Sequence, residues 1–285
     1  MKKIFSTLCF LTVVTFSYTQ TKPPRLIIRG DDMGFSHSGN EALIKSYKEG
    51  IETSIEVLVP SPWFPEAVKL LELYPLVDVG IHLTLTSEWE NIKWRPLTDC
   101  PSLKDANGYF FPMIFPNKNY PKQALTENKW NLAEVEKEFR AQIELAIQRI
   151  PRISHISGHM GCTGINADIK GIVKKLATEY HIDIDPQDYK VTSISYQGPH
   201  KTLAEKKESF LMMLHSLQAG KTYLFVDHPG LNNEELRSIY HIGYENVAID
   251  RQGVTDLFTN EKIIEVIRQK GIQLISYKQL SLKLY

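Results

Sequence analysis

Four short polar clusters carry residue types that do chemistry, and each follows an apolar run. Arg25-Leu26-Ile27-Ile28-Arg29-Gly30 leads into Asp31-Asp32-Met33-Gly34, and Val77-Asp78-Val79-Gly80-Ile81 leads into His82-Leu83-Thr84. Ile153-Ser154-His155-Ile156-Ser157-Gly158 leads into His159, and Tyr223-Leu224-Phe225-Val226 leads into Asp227-His228-Pro229-Gly230. Carboxylates and imidazoles at the carboxyl ends of several strands are what a (β/α) barrel needs to build a metal-dependent hydrolase site.

Neighbouring residues leaving a strand point in different directions. Asp31 and Asp32 can therefore serve two roles, one binding a cation and the other accepting a proton from water. Gly30 and Gly34 allow close backbone approach on either side. Taken alone, such a turn also fits a solvated loop, and His82 alone fits an ordinary polar residue at a strand end. His155 and His159 share a face only on a helix, whereas Gly158 and Gly161 argue for a turn, so the two are not assumed to bind together. A His155 inside the strand would support the site through a hydrogen bond. One carboxylate with two imidazoles holds a divalent cation and leaves positions open for water and substrate. Ligand softness allows zinc, iron, manganese or nickel, and magnesium less comfortably. His228, fixed ahead of Pro229, suits proton donation to a leaving group, with Asp227 to orient it. The alternative for this pair is a plain turn.

The elements that must position these clusters alternate along the chain. Strands are expected at 25–29, 52–59, 77–81, 153–157, 222–226, near 246–249 and at 272–276. Helices are expected at 40–47, from Ser61-Pro62 to about Leu71, from Asn131 to Ile150, and then over 168–180, 203–217 and 259–269. Pro62 near a first turn is a common helix opening. Asn131 with Glu134 has the spacing of a capping box. Residues 181–200 are less regular, with room for short strands. Residues 88–130 break the rhythm with Trp89, Trp94, Tyr109, Phe110, Phe111 and Trp130, and read either as a functional loop beside the site or as a packing flap. The alternation implies an α/β fold with largely parallel strands.

The chain has 285 residues, 42% hydrophobic and 23% charged, which gives ample length for one core. With 33 basic and 33 acidic residues its formal net charge is zero, so nothing points to nucleic acid or an anionic membrane surface. Met1-Lys2-Lys3, the apolar run Ile4–Phe16 and the small residues before Gln20 read as a secretory signal peptide over residues 1–20. Residues 21–285 are then expected to form a single catalytic domain, exported to the periplasm or beyond and free of the membrane. Export would permit a disulfide between Cys100 and Cys162, although two separate thiols fit as well.

In combination, the four clusters resemble those of the YdjC/ChbG-like carbohydrate deacetylases, also called the ChbG/HpnK family. The matching segments are Arg29–Gly34, Gly80–Leu85, Ser154–His159 and Asp227–Gly230, with further similarity at Arg251–Asp256 and Gly271–Tyr277. The resemblance implies a distorted (β/α) barrel that hydrolyses an N-acetyl group on a sugar with a divalent metal, usually described as magnesium. Position by position, it implies that Asp31 is the general base and that Asp32, His82 and His159 hold the metal. It also implies that His228 is the general acid, and it suggests a homodimer. The third signature departs from the family's His-x-Asp-x-His-His-His: Ser157 replaces the acid, and Met160 and Gly161 replace the following histidines. Arg29 either favours an anionic sugar or pairs with a carboxylate.

The expected activity is thus removal of an acetyl group from an N-acetylated, or O-acetylated, saccharide. Two alternatives stay open. The same site could hydrolyse other esters or phosphoesters. The chain could also be an inactive sugar-binding protein, with the aromatics of 88–130 stacking on sugar rings.

Overall fold

The computed structural model describes residues 22–282; the expected signal peptide lies outside the described residues. The strands are β1 (Arg25–Met33), β2 (Ser54–Val57), β3 (Asp78–Leu83), β4 (Ile153–Gly158), β5 (Thr192–Ile194), β6 (Thr222–Asp227) and β7 (Gln273–Leu274). They pair in parallel in the order β4-β3-β2-β1-β6-β5. β6 runs along one edge of β1, while the other edge is shared by β7 at Arg25–Leu26 and by β2 from Arg29 onward. The sheet curls into a half-open barrel of the expected α/β class.

Helices α1 (His37–Glu49), α2 (Phe64–Leu73), α3 (Leu132–Arg149) and α4 (Ala167–Glu179) follow the first strands. Helices α5 (Leu203–Ser216), α6 (Glu234–Ser238), α7 (Val247–Phe258), α8 (Glu261–Gln269) and α9 (Lys278–Ser281) follow later. Period-two alternation sends Ile55, Val57, Val79 and Ile81 outward, where they pack with Leu43, Val68, Phe139 and Ile143. Leu26, Ile28, Tyr223 and Phe225 do the same against Phe210, Met213, Val254 and Leu257. The alternate positions face the barrel interior. There Ile27 and Leu224 meet Ile275, Tyr277 and Leu280, and a polar layer of Arg29, Glu56, His82, His155 and Ser157 joins them. No helix among the described residues is long and apolar enough to cross a membrane.

Local chemistry away from the site differs from the sequence reading in three places. Residues 246–249, expected as a strand, open α7, because Val247, Arg251, Val254 and Phe258 are buried at helical spacing. A three-residue apolar run, Val247 to Ile249, does not by itself separate the two periods. Ser61-Pro62 forms a turn, and the helix begins at Phe64 with Pro65 in its first turn. Asn131 caps α3 by accepting from Ala133 N, but Glu134 does not close a capping box; it accepts from Ser102 N and Oγ instead. The reciprocal box lies at Thr202 and Glu205, at the start of α5. Of the two arrangements left open for Cys100 and Cys162, the structure shows separate buried thiols, bonded to the carbonyls of Thr98 and Leu83.

Phe139 on α3 is fully buried in the largest apolar cluster. Phe139→Ala is expected to cost about 3–5 kcal/mol, the usual toll of a large core cavity. Denaturant unfolding with an unchanged slope checks this.

Candidate metal centre

Asp31 and Asp32 do not follow the first strand; they lie inside it. The β1–β2 register shifts between Gly30 and Met33, and Asp32 sits at φ 73°, the left-handed region that costs a non-glycine residue energy. This bulge aims both carboxylates at one imidazole. His82 Nε2 lies 3.8 Å from Asp31 Oδ2 and 3.5 Å from Asp32 Oδ1. His82 is the inward residue near the end of β3, and His159 follows the last residue of β4. His159 Nδ1 lies 3.1 Å from Asp32 Oδ1. Asp32, His82 and His159 each offer a ligand atom, all within 4.8 Å of one another and all buried.

The donor set fits a divalent cation. Asp32 Oδ1 is buried and makes no well-aligned hydrogen bond among the described residues, yet it faces two imidazole nitrogens. Its other oxygen, Oδ2, accepts from Arg251 Nη2 at 2.8 Å. Burial opposes charge on Asp32, but His159, His228 and Arg251 outweigh it and hold the carboxyl well below its usual range. Burial pushes His82 down to about 4, so the ring is neutral and can offer a lone pair near neutral pH. Burial disfavours charge on His159 too, but Glu88 and Asp32 push its pKa up to about 10. A proton or a cation can occupy the position between His159 Nδ1 and Asp32 Oδ1, so metal and protons compete there.

The other residues singled out by the sequence are close by. Arg29 pairs with Asp31, Nη2 donating to Oδ2 at 2.9 Å and Nε lying 2.8 Å from Oδ1. Of the two roles left open for Arg29, the structure shows the carboxylate partner. His228 follows β6, half-exposed, with Nε2 3.9 Å from Asp32 Oδ2. Asp227 lies 3.7 Å from His228 Nδ1, accepts from the His228 backbone N–H at 2.9 Å and is itself held by Tyr196 Oη at 2.6 Å. Burial opposes protonation of His228, but Asp32 and Asp227 raise its pKa. His155 lies inside β4, where Glu56 and Ser154 hold its two ring nitrogens.

Sequence reasoning missed Glu88, Arg251, Glu56 and Tyr196. Glu88 opens the irregular 88–130 segment, and both its oxygens lie 3.1 Å from His159 Nε2. Arg251 lies against the rings of Phe35 and Trp89, 4.6 and 5.3 Å from their centroids. Glu56 did carry a signal: a charge within an otherwise β-branched strand is costly unless paired. The 88–130 segment therefore both supplies the site and packs. Trp89, Trp94 and Phe110 are buried in the core, which removes them as stacking platforms for sugars.

A carboxylate on the far nitrogen of a metal-binding imidazole fixes the ring and raises its basicity. Glu88→Gln is expected to weaken divalent-metal binding about ten- to hundredfold while the fold persists. Competition with a chelating dye, alongside circular dichroism, measures both.

Similarity to known proteins agrees with this geometry. The YdjC-like protein family matches residues 25–269. A carbohydrate deacetylase of Enterococcus faecalis (strain ATCC 700802 / V583) is 28% identical over 275 residues, covering 90% of this chain and 98% of its own. A carbohydrate deacetylase of Geobacillus stearothermophilus is 24% identical over 268 residues, covering 90% and 98%. A crystal structure from Enterococcus faecalis V583, of a suggested cellobiose-phosphate cleavage protein, superposes with a TM-score of 0.71 at 24% identity. It covers 92% of this chain and 100% of that one, and it shows the same fold. With the match running from β1 through the last residue of α8, the chain belongs to the YdjC-like protein family.

Proposed function

We propose that this protein is a metal-dependent hydrolase that removes the acetyl group from an N-acetylated saccharide. The observation that carries the reading is the convergence of Asp32, His82 and His159 on one point, with the Asp31 carboxylate beside it. Relatives matching nearly their full length are carbohydrate deacetylases, which supports an acetylated sugar as the substrate class.

Asp32, His82 and His159 would hold a divalent cation, whose Lewis acidity would polarise an acyl carbonyl and make water more acidic. Asp31, clamped by Arg29, accepts the proton of the attacking water. Its fixed position means little reorganisation as the charge moves. His228, turned by Asp227 and reaching solvent on its open side, gives a proton to the departing nitrogen as the C–N bond breaks. Acetate and a free amino sugar leave.

Two imidazole nitrogens and one carboxylate oxygen favour a borderline transition ion such as zinc over magnesium, the metal that the family resemblance names. The charged start and apolar run of residues 1–20 support export. The resemblance also supports a homodimer.

The test is acetate release from a panel of N-acetylated sugars by chelated and remetallated protein, scored beside phosphate release from phosphorylated sugars. Acetate release is expected to stop on chelation and return with metal. Asp31→Asn is expected to retain metal and lose about 10²–10⁴-fold in turnover. His82→Ala is expected to lose metal and turnover together. Wild-type acetate release by Asp31→Asn would remove Asp31 from its role, and phosphate release without acetate would replace the reaction.

A further inference from the structure

The barrel interior holds a buried carboxylate that the proposed chemistry does not use. Glu56, the central inward residue of β2, is fully buried. Its Oε2 accepts the hydroxyl proton of Ser157, and its Oε1 faces His155 Nε2. Burial alone would raise Glu56, but His155 and Arg29 outweigh it and hold the carboxyl at about 2, so it accepts hydrogen bonds throughout the neutral range. Ser157 Oγ lies 2.7 Å from His82 Nδ1. With the Ser157 proton committed to Glu56, the hydroxyl oxygen can only accept from the ring. His82 must then carry its proton on Nδ1, which leaves the lone pair on Nε2, the atom facing Asp31 and Asp32.

We infer that Glu56, acting through the Ser157 hydroxyl, is a positioning residue that fixes the tautomer and orientation of His82 so that Nε2 is presented to the cation. A serine alone would not do this, because a free hydroxyl rotates and can donate to Nδ1 as readily as accept from it. The carboxylate makes the hydroxyl one-directional. The rest of the interior is built to hold Glu56 in place. His155 stacks on Tyr277, centroids 3.5 Å apart and planes within 10°, and its Nδ1 lies 2.7 Å from Ser154 Oγ. Ser154 in turn donates to Asp78. Gly80, directly before Ile81 and His82, leaves the room: a Cβ there would overlap both the Glu56 carboxylate and His155. The glycine two residues before the ligand thus makes space for the group that aligns it.

This inference rests on the metal-site reading but not on the identity of the substrate. The test therefore reads tautomer and metal affinity and needs no turnover. Long-range ¹⁵N–¹H spectra of the metal-free protein are expected to show His82 in the Nδ1–H form. Glu56→Gln and Ser157→Ala are each expected to weaken divalent-metal binding about tenfold or more. The double variant is expected to be no weaker than either single one, because the two groups act as a unit. Placing the acid directly against the ring, in Glu56→Gln/Ser157→Asp, is expected to recover most of the lost affinity. Ser157→Ala keeps the Glu56–His155 pair intact, so it decides the matter if Glu56→Gln does not fold. Three results would overturn the inference: an Nε2–H His82 in the wild type, wild-type affinity in Ser157→Ala, or additive losses in the double variant. Loss of acetate release across the substrate panel with the affinity pattern intact would overturn the proposed reaction alone.

Discussion

A carboxylate buried among apolar strands is unstable unless positive charge or hydrogen-bond donors surround it, and this constraint organises the whole mouth of the barrel. Asp32 is the case on which the site turns. One of its oxygens is taken by Arg251, and the other faces the ring nitrogens of His82 and His159. The neighbouring carboxylates obey the same rule. Asp31 has Arg29, Glu56 has His155, Glu88 has His159, and Asp227 has Tyr196 and the His228 backbone. Glu52 is the exception: it is buried with neither oxygen paired among the described residues, and burial together with Asp31 pushes its carboxyl up well above the usual range.

Such an interior differs from the layered aliphatic filling common in parallel barrels. Strand alternation explains how both kinds coexist. Outward residues of β1, β2, β3 and β6 remain Leu, Ile, Val, Tyr and Phe beneath the helices, while inward residues become Arg29, Glu56, His82 and His155 near the site. Toward the amino-terminal end of β1 the filling returns to Ile27, with Leu224 and Ile275. Stability and chemistry thus occupy opposite faces of the same strands.

Much of this was legible in the sequence because polar residues that follow apolar strands stand out. Asp31, Asp32, His82, His159 and His228 stood out on that ground, the family resemblance supplied their expected roles, and the structure gathers them at one mouth of the sheet. The β1 bulge was not legible, since nothing in Arg-Gly-Asp-Asp-Met announces a left-handed Asp32; the pair was expected beyond the strand and lies within it. Glu88 and Arg251 were hidden because they meet the site only through long-range packing, from an irregular segment and from a helix whose first turn read as a strand. Glu56 was legible as a charge inside an apolar strand, but its partners lie on other strands and were not. The Ser157 departure from the family pattern looked like a loss, whereas the hydroxyl here links His82 to a carboxylate on another strand.

The central claim is that one cation is held jointly by Asp32, His82 and His159. Anomalous diffraction from a crystal of remetallated protein tests it most directly. The account predicts a single strong peak about 2 Å from Asp32 Oδ1, His82 Nε2 and His159 Nδ1. A peak bound elsewhere on the chain, or no peak at this point in protein shown to carry stoichiometric metal, would contradict it.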